Sequence, residues 1–295
     1  MFELLSICIP TRNRAEMLNA AIRSALRVFG PRVQFIIGDN GDAMHTAALL
    51  KNLVGEYPEA IFKHIQNPVG ATYVYNLQTL VDNVQTPWMS IMHDDDLYDD
   101  ISVDVLKQLF GDETISFVFS DHWVISANAE RLLNETENAS HFYGRTLLRE
   151  GKIEHLGEVA ANGSICLDGF YVRSNLAKFF RFNQTLKIFG DSQWLISLAS
   201  KADVAGYYIN KRTFSYRLNP NSTTSLGLDQ IELHNALCDV YISDAWTERA
   251  LWARLKKHAW VVVRYSLKRR RLLGLISAMM TLIGRRPRKR TVPLS

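Results

Sequence analysis

Cysteine is scarce in this chain of 295 residues: Cys8, Cys166 and Cys238 are all it has. Three scattered thiols do not make a disulfide framework or a structural zinc cluster. Proline is sparse too, at 8 residues, and 16 glycines are too few for a collagen-like or low-complexity chain. No internal repeat is visible. No run reaches the roughly 18 uninterrupted apolar residues that a conventional membrane-spanning helix needs. The opening Met1-Phe2-Glu3 lacks a basic segment and the apolar run after it stops at Pro10, so a cytoplasmic protein without a signal peptide is expected. What remains is ordinary globular composition, 47% hydrophobic and 22% charged, in a chain long enough to bury a large core.

One absence is local. Residues 249–295 hold 14 Lys and Arg and no Asp or Glu. The remaining 20 basic residues sit among all 30 acids, so the net charge of +4 divides into −10 up to Glu248 and +14 beyond it. Parts of such opposite charge are expected to have different partners.

The first 120 residues alternate apolar runs with helical periodicity. Residues 4–9, 33–37, 61–65, 88–92 and 115–119 read as strands, the first nearly continuous in apolar character, as a strand covered on both faces should be. Leu18, Ala21, Ile22, Ala25 and Leu26 have the spacing of a helix packed on a sheet, with Asn13 as its expected cap and Glu16 closing a capping box. Val74, Leu77, Val81 and Val84 mark a second helix. This alternation implies right-handed crossovers and a largely parallel sheet. Ligands then bind beyond the carboxyl ends of the strands. Polar residues collect there: Thr11, Arg12 and Arg14 after Pro10, then Asp39, then Asn67, then His93-Asp94-Asp95-Asp96. That is the arrangement of a nucleotide site. From 121 to 225 the pattern is mixed, with 130–140 reading as a loop, a helix expected after Gly190-Asp191, and one or two strands across 207–218.

The run Asp94-Asp95-Asp96 suits a hard divalent cation such as Mg²⁺ or Mn²⁺, which takes one or two carboxylates when a diphosphate supplies the rest. Asp96, with Asp94, is the expected metal pair, and Asp94 and Asp95 the expected contacts to the donor. The competing reading is a solvated acidic turn before the helix near Ile101.

Taken in order, these segments resemble the family 2 glycosyltransferases of GT-A fold. Residues 6–14 are similar to that family's opening strand and nucleotide loop, and Ile36-Ile37-Gly38-Asp39 to its second strand. Asn67, Gly70 and Asn76 match its asparagine–glycine–asparagine spacing, and Met92-His93-Asp94-Asp95-Asp96 looks like its DXD motif. Tyr75 stands where many members have arginine, and Arg12 or Arg14 is the candidate replacement. The resemblance implies an inverting, metal-dependent transfer of a sugar from a nucleotide diphosphate to a hydroxyl. Such a reaction needs a carboxylate base opposite the leaving group. Gly190-Asp191-Ser192 looks like the family's place for it, which makes Asp191 the candidate, with a plain helix cap as the rival. Tyr216-Arg217-Leu218-Asn219 is similar to the family's late strand and loop, with Arg217 expected on a phosphate and Asn219 a poorer metal ligand than the usual histidine.

The chain therefore divides, on expectation, into a GT-A domain at 1–225 (donor half 1–120, acceptor half 121–225) and a basic amphipathic helical extension at 226–295. There Trp252, Leu255, Ala259 and Val262 share one helical face, and Lys257, Arg264, Lys268 and Arg271 the other. The apolar run 272–283 spans about 18 Å as a helix, too short for a bilayer. An interfacial helix on an anionic membrane fits, with Trp246, Trp252 and Trp260 near the interface. A dimerisation helix, and hence a homo-oligomer, is the alternative; a nucleic-acid arm is disfavoured by the apolar content. A lipid-linked saccharide acceptor follows from the resemblance and this tail together. The rivals for the whole chain are a metal-dependent nucleotidyltransferase and a non-catalytic membrane scaffold.

Overall fold

The computed structural model describes residues 4–201, 204–219 and 245–269, with short stretches at 233–234, 237–238, 240, 278–279 and 281–282. The donor half contains β1 (Leu5–Thr11), α1 (Ala15–Phe29), β2 (Gln34–Asp39), α2 (Ala43–Glu56), β3 (Ile61–Gln66), α3 (Tyr73–Asp82) and β4 (Trp88–Ile91). The same half also holds β5 (Leu97–Tyr98) and α4 (Val103–Gly111), and β6 (Phe117–Ile125), α5 (Leu133–Phe142), β7 (Gly151–Ile153) and α6 (Leu156–Asn162) follow. The last described elements are β8 (Tyr171–Arg173), α7 (Ser174–Phe179), α8 (Gly190–Ala199), β9 (Gly206–Arg217) and α9 (Ala245–Arg269).

One sheet runs β3-β2-β1-β4-β8-β6-β9-β5, with β7 on β9. Its β3-β2-β1-β4 half is parallel. Strand β8 then enters antiparallel between β4 and β6, and β9 returns parallel to β6. The sheet is thus mostly parallel, as the alternation predicts, with the reversal confined to the short strands β5, β7 and β8.

Alternation along β1 explains the two layers. Ile7 and Ile9 face α1 in one apolar cluster with Leu18, Ile22 and Phe35, while Cys8 joins Val74, Leu77 and Met89 on the other side. Both faces are therefore dry, and the near-continuous apolar run of 4–9 is the result. The carboxyl ends of the parallel strands stay polar and adjacent.

Three local expectations are corrected. Asn13 does not cap α1: it lies at φ 56 and its Oδ1 accepts from the Asp42 amide at 2.8 Å. A Cβ on Gly41 would fall 2.2 Å from that oxygen, so the loop after β2 closes on Asn13 only because residue 41 is glycine. Residues 133–140 of the expected loop lie in α5, held by buried Thr136 and Ser140. Strand β6 runs well past 119, to Ile125.

Helix α9 lies in the stretch expected as a separate extension, yet Leu251 and Leu255 join the main apolar cluster. Arg254 Nη1 donates to the Ala161 carbonyl at 2.9 Å, and Ala259 and Val262 pack with Ala278. The apolar face of α9 therefore covers protein. No helix among the described residues is long and apolar enough to cross a membrane. Most of 272–283 lies outside the described residues.

Candidate active site

The ends of β1, β2 and β4 meet through side chains. Thr11 Oγ1 donates to Asp94 Oδ2 at 2.7 Å, and Arg14 Nη1 donates to Asp94 Oδ1 at 3.2 Å and to Asp95 Oδ2 at 3.0 Å. This ties the acidic run to the first loop. Burial raises the Asp94 pKa, and the Thr11 and Arg14 bonds act against that rise.

Asp96 is set apart from its neighbours. Its Oδ1 accepts from the Arg217 amide at 2.7 Å, while its Oδ2 is buried with no hydrogen-bond partner. That oxygen lies 3.9 Å from His93 Nδ1, which is 2.8 Å from Asp168 Oδ2. Asp168 arrives from the segment before β8, where it bridges to Ile91, and it also accepts from the His93 amide at 2.7 Å. His93, Asp96 and Asp168 bring one ligand atom each within 4.8 Å of one another.

The charges in this cluster are interdependent. Burial lowers the His93 pKa, but Asp168, with Asp96 and Asp95 behind it, more than reverses this and holds it at about 10. Burial works to raise the Asp168 pKa, and its pairing with His93 brings it below the usual carboxylate value. Asp96 is pushed well above that value by burial and by the charge of Asp168. Two buried carboxylates, one with an orphaned oxygen, suit a hard divalent cation, and the imidazole could join once its Nδ1 proton leaves. The donor set fits the expected Mn²⁺ or Mg²⁺, but with Asp168 and His93 beside Asp96 in place of the expected Asp94, whose oxygens are held by Thr11 and Arg14.

A hydrogen-bonded line leads outward from this cluster. His93 Nε2 lies 2.6 Å from the Tyr73 hydroxyl, which donates to Asp191 Oδ2 at 3.5 Å. Asp191 sits in the first turn of α8, and its Oδ1 accepts from the Ser192 amide. Burial raises its pKa to about 6. The carboxylate is thus ionised at neutral pH and still basic enough to take a proton.

A sequence model for Glycosyl transferase family 2 matches residues 6–164, more than half of the chain. The protein belongs to the family 2 glycosyltransferases. Its fold is shared with TarS 1–349 of S. aureus in complex with UDP-GlcNAc (TM-score 0.67, 10% identity, 94% of this chain and 79% of that one). The mannosyltransferase PcManGT of Pyrobaculum calidifontis, in complex with GDP-Man and Mn²⁺, is also similar (TM-score 0.61, 11% identity, 95% of this chain and 74% of that one). These likenesses establish the α/β GT-A architecture. No curated protein sequence matches significantly.

Within this family 2 chain the expected donor residues are gathered, with their side chains variously engaged. Asp39 is fully buried: its Oδ1 accepts from the Gly41 amide at 2.7 Å and its Oδ2 lies 3.2 Å from His64 Nε2. Asn67 donates to Asn40 Oδ1 at 2.9 Å, and its amide bonds the Asp39 carbonyl. Asn76 donates to the Gly38 carbonyl at 2.8 Å. Gly70 adopts φ +84 in the loop before α3, and Pro10 is buried within β1. Arg12 is exposed, whereas Arg14 is held by the acids.

Arg217 differs from its expected role on a phosphate. Its guanidinium donates to the carbonyls of Asp95, Ser126 and Ala127 at 2.7, 3.2 and 2.8 Å. It braces the acidic turn against the loop after β6. Motif reading passes over Tyr73 and Asp168, and gives His93, within the acidic run, no role. Asp168 carried one usable signal, an acid inside the apolar run 165–170.

Proposed function

We propose that the chain transfers a sugar from a nucleotide diphosphate donor to a hydroxyl of a saccharide acceptor, with inversion at the anomeric carbon. The observation that carries this reading is the Asp191–Tyr73–His93–Asp168 line, which joins a carboxylate of pKa about 6 to a cluster suited to a divalent cation. A base and a diphosphate site at the two ends of one network are what in-line displacement requires.

Asp191 accepts the proton of the acceptor hydroxyl as its oxygen attacks the anomeric carbon and the bond to the diphosphate oxygen breaks. The intact nucleoside diphosphate leaves. Tyr73 holds the Asp191 carboxylate in place. Asp96 and Asp168, with His93, would hold Mn²⁺ or Mg²⁺, and the bound cation would supply charge neutralisation for the diphosphate leaving group. Asp94 and Asp95 line the ribose and phosphate side, Asp39 with Asn67 and Asn76 shapes the nucleoside floor, and exposed Arg12 is the cation available to a phosphate. UDP-GlcNAc and GDP-Man, which the TarS and PcManGT structures hold, are the first donors to try.

The acceptor is proposed to be lipid-linked and reached from the cytoplasmic face of the membrane, because the +14 tail favours an anionic surface. Calorimetric titration of UDP and GDP, with and without Mn²⁺, tests the donor site. Cation-dependent binding that is lost in Asp96→Asn supports the assignment. Binding indifferent to both cation and Asp96 overturns it.

A further inference from the structure

We infer that α9 meets an anionic lipid surface through the face opposite the one its apolar periodicity advertises. The inference rests on the membrane reading proposed above and assigns it a surface. The apolar face is occupied: Leu255, Ala259 and Val262 are buried against protein, as is the neighbouring Leu251, and Trp252 packs partly buried on the main cluster. The opposite stripe is open. Arg249, Ala253, Lys256, Trp260, Arg264 and Leu267 are all exposed, and their spacing of three and four residues keeps them on one side of the helix.

Trp260 is 59% exposed and Leu267 is 62% exposed. A folded helix gains nothing in water from showing an indole and an isobutyl group one above the other. Between and beside them stand three exposed cations, Arg249, Lys256 and Arg264, the Lys256 ammonium lying 5.6 Å from the Trp252 ring centroid. Tryptophan at headgroup depth with flanking Lys and Arg is the composition of an in-plane interfacial face. Three exposed cations facing a symmetry-related copy would repel, so a second copy of the chain is the poorer occupant. A nucleic acid would use the cations but leave Leu267 without a role.

The test is co-sedimentation of the full chain with vesicles of phosphatidylcholine alone and of phosphatidylcholine containing phosphatidylglycerol, across a salt series. The wild type is expected to prefer the anionic vesicles. Lys256→Glu combined with Arg264→Glu should lower that binding by about a hundredfold at low salt and by much less at high salt, as screening removes the charge component. Trp260→Ser should lower it several-fold at every salt concentration. All these positions are exposed, so thermal melting should be unchanged. Variants that bind like the wild type overturn the assigned face while leaving a membrane-bound tail standing. A wild type that ignores both vesicles overturns the membrane reading itself. Loss of binding on charge reversal with Trp260→Ser indifferent, and tight binding of single-stranded oligonucleotide, would assign the stripe to nucleic acid. Concentration-dependent dimerisation abolished by Trp260→Ser would assign it to a second copy.

Discussion

Replacing Asp191 with asparagine separates a base from a helix cap, because asparagine caps as well as aspartate but cannot take a proton. General-base removal costs about 10²- to 10⁴-fold in kcat, or roughly 3–5.5 kcal/mol of transition-state stabilisation. Donor affinity should hold, since the proton moves only in the transition state. The pH dependence follows from the pKa of about 6. In the wild type kcat should rise with pH through an acidic limb near that value and then level off. The asparagine variant should lack the limb.

The same shift makes a stability prediction of opposite sign to the activity loss. The folded-state pKa stands above the ordinary value of 3.8, so this group's contribution is most favourable below about pH 4 and is lost as pH rises through about 6. About two units would amount to some 3 kcal/mol for a fully desolvated carboxylate, and partial exposure brings this nearer 1 kcal/mol. At pH 7.5 the variant should therefore unfold at the same temperature as the wild type or a higher one. Single-turnover kinetics and thermal melts on one preparation read both quantities. A variant that keeps most of its kcat, or one whose activity loss tracks a loss of stability, refutes the reasoning.

Other substitutions probe the surroundings of that base. Tyr73→Phe removes the hydroxyl between His93 and Asp191, and should lower kcat about tenfold or more with KM for the donor nearly unchanged; a change confined to KM would contradict the positioning role. Asp168→Asn should weaken cation-dependent donor binding as Asp96→Asn does, measured by the Mn²⁺ concentration that supports half-maximal binding. Gly169 has φ +74 and its Cβ would fall 2.0 Å from the Phe214 ring, so Gly169→Ala should lower the melting temperature and loosen the adjacent Asp168. Leu255→Ala should destabilise the whole fold by about 2–5 kcal/mol, read by denaturant titration; an unchanged midpoint would mean that α9 is not part of the folded body.

The donor half was legible because its signals are local. Parallel strands buried on both faces leave continuous apolar runs, and polar residues mark where each strand ends, so Thr11, Asp39, Asn67 and Asp94 could be placed on one edge in advance. The acceptor half was harder because its strands gain their partners from far along the chain, and one of them is very short: β8 has three residues and pairs antiparallel with β4 and β6. Asp168 reaches the site through that long-range pairing, and nothing in its neighbours' spacing announces it. Asn13 was misread because a tertiary bond to the Asp42 amide outcompeted the local cap. Helix α9 showed its amphipathicity plainly, but periodicity cannot say whether the apolar stripe meets protein or lipid. For Arg217, motif position suggested a phosphate, while three backbone carbonyls hold the guanidinium.

The central claim is transfer with inversion and release of an intact nucleoside diphosphate, and slow donor hydrolysis tests it without knowledge of the acceptor. Water then takes the place of the acceptor hydroxyl at Asp191. Proton NMR of a UDP- or GDP-sugar of α configuration, incubated with the protein and Mg²⁺, resolves the first anomer formed before mutarotation. The account predicts the β-anomer of the free sugar together with nucleoside diphosphate, and neither product from Asp191→Asn. An α-anomer, or release of nucleoside monophosphate and sugar phosphate, would contradict it.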